Sequence, residues 1–331
     1  MRKSALLAVL CALCSLPFAL HAASTGYHIL NEIKVGGEGG WDYLTVDSAA
    51  HRLYVSHATH VVVIDTEKNT VVGDIPDTPG VHGIALAPEL NKGFISNGRG
   101  NNVTVFDMKT LKALGTVPTE MNPDDITYDA KSGRVLAFNG RSRSVTIIDA
   151  KTDKAVATVM LPGKPEFAIA DGTGKVYDNI EDTSEIVEVD AAKATVTKKW
   201  ALTGCDGPSG MAMDRKARRI FSVCGNRVMA VSDPDKGTVV ATPAIGAGSD
   251  GVVFDPGTGY AISANGDGTM TVVQQTGGKY DVTDNIATER GARTIALDEK
   301  THRVYTPTAT GNASGGRGYL PDSFKILVVG K

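Results

Sequence analysis

The 331-residue chain is short of several features that would place it quickly. It has four cysteines, two tryptophans and 6% aromatic residues. Cys11 and Cys14 fall inside an N-terminal apolar segment. The folded part therefore keeps one pair, too few for a disulfide-framework scaffold or a structural zinc site by themselves. Neither sign of charge dominates, with 34 basic against 37 acidic residues and a formal charge of −3. No basic field argues for nucleic acid as the main partner. Arg99, Arg141 and Arg143 have no interleaved aromatic series to stack bases. After residue 20 no run is apolar enough to span a bilayer, and no stretch keeps a 3.6-residue apolar period, which excludes an architecture of long helices. Glycine is abundant instead, at 37 residues with no collagen period, and favours many tight turns. With 42% hydrophobic and 21% charged residues the chain is not of the disordered class.

Arg2 and Lys3 precede an uncharged stretch from Ser4 to Leu20, followed by His21-Ala22-Ala23-Ser24. A positive start, an apolar segment and small residues predict a secretory signal over 1–23, cut after Ala22 or Ala23. Residues 24–331 are then expected to be a single domain in the periplasm with no transmembrane segment. Losing Arg2 and Lys3 takes the formal charge from −3 to −5. Cys205 and Cys224 remain as an even pair in an exported chain, which predicts a disulfide.

The strongest signal is internal repetition. Ile64-Asp65-Thr66 returns as Phe106-Asp107-Met108, Ile148-Asp149-Ala150 and Val189-Asp190-Ala191, with weaker copies at Val231-Ser232 and Val273-Gln274. A second phrase recurs seven times: Leu44-Thr45-Val46-Asp47, Ile84-Ala85-Leu86-Ala87, Ile126-Thr127-Tyr128-Asp129, Ala168-Ile169-Ala170-Asp171, Met211-Ala212-Met213-Asp214, Val252-Val253-Phe254-Asp255 and Ile295-Ala296-Leu297-Asp298. The period is about 42 residues, and each unit reads as four short strands bounded by Gly, Asn, Asp and Pro. Such a unit is a propeller blade. The reading is an all-β, seven-bladed β-propeller with four-stranded antiparallel blades. Blade seven lacks a strand of its own, so Tyr27–Val35 is expected beside Phe324–Val329, closing the ring and covering an edge.

Tyr54-Val55-Ser56-His57 is a variant of the Tyr-Val-Thr-Asn phrase, with looser copies at Phe94-Ile95-Ser96-Asn97 and Leu136-Ala137-Phe138-Asn139. The chain resembles the YVTN-repeat propellers, in particular their YncE-like periplasmic branch. That resemblance implies a seven-bladed propeller in the bacterial envelope and brings no catalytic residue with it.

A residue opening the innermost strand of a blade should lie near the residue ending its second strand. At a separation of 15 this pairs Asp42 with His57, His82 with Asn97, Asp124 with Asn139, Ser209 with Cys224, Asp250 with Asn265 and Arg293 with Thr308; Glu166 falls near Asn179 or Ile180. These pairs are expected to ring one mouth of the channel and to form a binding surface. Its acidic bias would attract a cation, either a metal ion or an organic amine. No cofactor is predicted; the alternative is a divalent cation on Asp42, His82 and Asp124, serving a metal-assisted hydrolase or lactonase. Gly207-Pro208-Ser209-Gly210 lacks the Gly-x-Ser-x-Gly order of a nucleophile turn. His57 and His60 flank a short loop and read as surface groups. Trp41 is either a ligand platform or filler of a blade junction. The stretch Thr310–Pro321 reads as a lid over the mouth or as an unstructured insertion. The expected partner is a small molecule or an envelope protein, bound by a monomer.

Overall fold

The computed structural model describes residues 24–311 and 318–331; the secretory signal expected at 1–23 lies outside them. Seven four-stranded antiparallel sheets account for the strands. The innermost strands of blades one to seven are Trp41–Asp47, Val81–Ala87, Pro123–Asp129, Pro165–Ala170, Pro208–Asp214, Ser249–Asp255 and Ala296–Asp298. Each touches the next, and the last returns to the first. That cycle is the ring. Apart from one 3₁₀ turn at Pro88–Leu90, no helix occurs among the described residues, and none is long and apolar enough to cross a membrane.

The second and third strands of a blade are packed on both faces and read as near-continuous apolar runs, such as Arg52–His57 and His60–Asp65 in blade one. Facing blades bury these runs in separate clusters; Leu53 and Val55 of blade one meet Tyr305 and Ile326 of blade seven. The Asp of the Ile-Asp-Thr repeat has a local job. Asp65, Asp107, Asp149 and Asp190 each accept N–H groups two or three residues on, which fixes the turn leaving the third strand.

Closure follows the expected course. His28–Lys34 pairs antiparallel with Lys325–Gly330, so the two ends of the chain complete blade seven. Thr25 binds Asp284 of blade six through its N–H and hydroxyl, each at 2.7 Å, and Tyr27 donates to the His302 carbonyl. The outermost strands share another feature. Each carries one extra residue at the same place: Leu30, Val72, Leu114, Val156, Thr197, Val240 or Thr283. Such bulges interrupt an edge that would otherwise accept a further strand. Five of these residues are exposed apolar side chains.

The closing strand contributes to the core through Ile33, whereas the rim bulges do not. Ile33→Ala is expected to lose about 2–4 kcal/mol in urea unfolding. Val72→Ser should stay within roughly 0.5 kcal/mol of the parent. Equal losses would mean that the closing strand is peripheral to stability.

Candidate functional site

The mouth is shaped by a register slip repeated in the innermost strands. Continued regularly from Leu44 opposite Val55, the ladder would set Asp42 opposite His57, the separation of 15 expected from sequence. Instead Trp41 pairs with His57, Val81 with Asn97, Pro123 with Asn139, Pro208 with Cys224 and Ser249 with Asn265; blade four pairs Pro165 with Ile180. A bulge follows each of these pairs. It turns the next residue out of the sheet and toward the axis. Asp42, His82, Asp124, Glu166, Ser209, Asp250 and Arg293 are all half-buried there, while the residues before them are buried.

The slip separates the two halves of the expected ring. The structure brings together Asp42, His82, Asp124, Glu166, Asp250 and Arg293. It does not bring His57, Asn97, Asn139 or Asn265 to the channel surface; all four are sealed inside the blades. The three asparagines each donate to two side chains of the third strand, as Asn97 does to Asn102 (2.7 Å) and Thr104 (2.8 Å). His57 is not the surface group that its loop suggested. It is 1% exposed, stacked on Phe324 and edge-on to His60.

Around the axis acids and bases nearly alternate. His82 Nδ1 lies 2.6 Å from Asp42 Oδ2 and 3.1 Å from Asp124 Oδ1. Lys164 Nζ reaches Glu166 Oε2 at 2.8 Å and also contacts Glu181. Arg293 Nε donates to Asp250 Oδ2 at 2.7 Å, with its Nη2 4.0 Å from Asp42. Lys164 escaped the sequence reading, yet a signal exists. Two residues before the ring position the other blades have Gly40, Gly80, Asn122, Gly207, Gly248 and Gly291, and only blade four has a charged residue. The alternation breaks once, at Ser209. Its neighbours Glu166 and Asp250 each have a base on the far side only. Behind Ser209 the Cys205–Cys224 disulfide pins the blade-five loop.

Burial at this ring works against ionised carboxyls. Desolvation, reinforced by Asp124, pushes Glu166 up to about 8 despite Lys164. Asp124 rises to about 6, again chiefly through burial, with His82 opposing. Asp250 is raised by burial and by Asp42 against the pull of Arg293. For His82 burial disfavours the imidazolium, but Asp42, Asp124 and Glu166 together outweigh it and raise the value.

Below the ring the channel has a floor. Tyr43 of blade one and Phe167 of blade four meet edge to face, ring centroids 4.9 Å apart, although their blades are not neighbours. The equivalent residues elsewhere are Gly83, Asp125, Gly210, Gly251 and Thr294, so two aromatics stand in a column of mostly small groups. At Gly210 a Cβ would come within 2.6 Å of the Asp250 carbonyl, so glycine lets adjacent inner strands approach. Beneath the floor lies a cavity of about 410 Å³ lined by Thr45, Ala85, Thr127 and Ile169.

Asp42, His82 and Asp124 offer donor atoms within 4.8 Å of one another, the one such trio among the described residues. Zinc donors at 2.0–2.1 Å sit roughly 3.3 Å apart in a tetrahedron, so the trio could converge on an ion with small movements. Both carboxylates, however, address the same nitrogen. A metal would have to displace the proton that His82 holds between them. Arg143 is paired with Asp182 at 2.9 Å. The stretch Thr310–Pro321 is tied at its base, where Leu320 N–H donates to Thr310 O at 2.8 Å; residues 312–317, and with them the choice between lid and insertion, lie outside the described residues.

No family model matches the sequence, and no curated protein matches it. Among solved structures the chain is similar to hydrazine synthase of Kuenenia stuttgartiensis, with a TM-score of 0.74 and 12% identity, over 88% of this chain and 96% of that one. At that identity the likeness is one of fold. Fold and mouth together define a seven-bladed propeller with an ionisable ring at one end of a floored channel.

Raised carboxyl and histidine values have the same sign of linkage. The folded state holds its protons more tightly than the unfolded chain, so their contribution is complete below the ordinary carboxyl range. It fades as pH rises through about 6 for Asp124 and about 8 for Glu166. Glu166→Gln is therefore expected to melt higher than the parent at pH 8.5, with the difference closing by pH 4.5. A variant that melts lower at pH 8.5 would show that the Lys164 ion pair outweighs the desolvation of Glu166.

Proposed function

We propose that the chain is an exported binding module that recognises a cation at the mouth of its channel. The observation that carries this reading is the gap at Ser209. Glu166 and Asp250 face it from both sides, and each is neutralised by Lys164 or Arg293 only on the side away from it. A positive group placed over Ser209 would complete the alternation and relieve two desolvated carboxylates. The disulfide behind that sector keeps its backbone in place. The resemblance to YncE-like propellers and the signal-like segment at 1–23 support an envelope location, with a small molecule or an envelope protein as the partner of a monomer.

The test is isothermal titration with calcium chloride, zinc chloride and n-butylamine hydrochloride. At least one should bind at pH 7.5, and Glu166→Gln or Asp250→Asn should weaken it by roughly tenfold, about 1.4 kcal/mol. Affinity should rise from pH 7.5 to pH 8.5 as Glu166 loses its proton, and fall at pH 5.5, where Asp124 takes one up. Binding that ignores both substitutions, or no binding by any probe, removes this reading.

A second reading, a metal-assisted hydrolase or lactonase, is favoured by the convergence of Asp42, His82 and Asp124. Other propellers host chemistry of many kinds, and the fold alone does not choose. Elemental analysis of protein purified without chelator separates the two. Stoichiometric metal, lost together with ester or lactone turnover in Asp124→Ala, is expected of the enzyme. Absent metal with no turnover leaves the binding module.

A further inference from the structure

Five rings form one stack at the junction of blades seven and one. Tyr319 packs on Trp41 with centroids 4.6 Å apart, Trp41 on Phe324 at 5.2 Å, and Phe324 on His57 at 4.3 Å; His57 meets His60 edge-on at 5.0 Å. The stack begins at the ionisable ring. Trp41 immediately precedes Asp42 in the first strand of blade one. Beside the stack is a cavity of about 440 Å³, walled by residues 37–40 on one side and by Ala309, Tyr319, Leu320 and Phe324 on the other.

Packing alone does not account for two groups that lie behind this wall, Trp41 against Tyr319 and Phe324 and His57 against Phe324. Trp41 Nε1 is buried with no acceptor, and both ring nitrogens of His57 are buried with no partner. Polar groups sealed from water without a hydrogen bond cost free energy until a partner arrives. His57 lies directly behind the cavity. A Cβ on Gly37, one of the lining residues, would come 3.0 Å from His57 Cε1 and 3.7 Å from Nδ1. Burial, with His60 adding to it, holds His57 down to about 4. It is therefore a neutral ring with one donor and one acceptor nitrogen.

We propose that this cavity is an aromatic subsite of the mouth, taking the flat aromatic or heteroaromatic body of an organic cation whose ammonium lies at Asp42, the member of the acidic ring that adjoins it. The inference rests on the reading of the mouth as a cation site and adds to it a second position, at the Asp42 edge and away from Ser209. The Asp42 carboxylate suits an ammonium, and the exposed Tyr319 ring with the cavity beside it suits a flat ring. A hydrated metal ion has no use for such a wall.

The full folded chain carrying Trp200→Phe leaves Trp41 as its sole indole, so its emission reports on the subsite. Phenethylamine, n-butylamine and indole are the probes. Phenethylamine should shift Trp41 emission and bind roughly tenfold tighter than n-butylamine. Tyr319→Ala should abolish that advantage and Tyr319→Phe should keep it; Tyr319 is 42% exposed, so its loss spares the core. Equal affinities for the two amines, or an advantage that survives Tyr319→Ala, overturn the subsite and leave the cation reading standing. Indole binding with the same Tyr319 dependence, while neither amine binds, supports the subsite and removes the cation reading. Silence from all three probes overturns both.

Discussion

One extra residue in six of the seven innermost strands governs the mouth of this propeller. A β-strand alternates its side chains with a period of two, so a residue on the sheet face cannot also face the axis. The bulge that follows Trp41, Val81, Pro123, Pro165, Pro208 and Ser249 breaks that alternation at one level of the ring. The residue before the bulge stays in the blade core. The residue within it is released toward the channel, free of packing constraints, and can be of any polarity. The apolar packing of the blades therefore does not dictate the chemistry at the mouth.

That freedom has been used unevenly. A sevenfold scaffold offers seven equivalent positions, and they hold four acids, a histidine, an arginine and a serine. Lys164 supplies the base that blade four lacks at the ring position. Near-alternation keeps the ring together even though burial raises Asp124, Glu166 and Asp250. Carboxylates crowded without these bases would repel one another and draw in protons. The serine interrupts the pattern in the one blade whose mouth loop is cross-linked by the disulfide. A sector stripped of charge compensation is thus also one whose backbone is covalently held.

Periodicity made the fold legible. Seven copies of one phrase fixed the blade count, and the unfinished seventh unit pointed to closure by the N-terminal strand. The ring position was legible for the same reason, because Asp42, His82, Asp124, Glu166, Asp250 and Arg293 occupy one column of the repeat. The second column, His57, Asn97, Asn139 and Asn265, was misplaced because a bulge changes register without altering composition. Nothing in Trp41-Asp42-Tyr43 announces the slip. Lys164 was legible in principle, as the one charge in a column of glycine and asparagine. The Tyr43–Phe167 floor was not, since contact between blades one and four depends on how wide the channel is, and sequence does not state that width.

Aromatic placement extends the same logic from charge to shape. Most of the column that faces inward below the ring is glycine, aspartate or threonine, which brings inner strands close and would leave an open bore. Tyr43 and Phe167 close that bore from opposite sides, so a molecule entering at the mouth meets a wall rather than a passage. At the edge of the same mouth, the exposed Tyr319 ring lies over the buried Trp41, which adjoins Asp42. Under the proposed readings, a floored cup with charge on its sides and an aromatic ring at one edge would discriminate by both sign and flatness. A bare acidic rim would discriminate by sign alone. Placing those rings on blades one and seven, where the chain ends meet, ties the shape-selective wall to the closure of the ring itself: Phe324 carries the stack and leads directly into the strand that pairs with His28–Lys34.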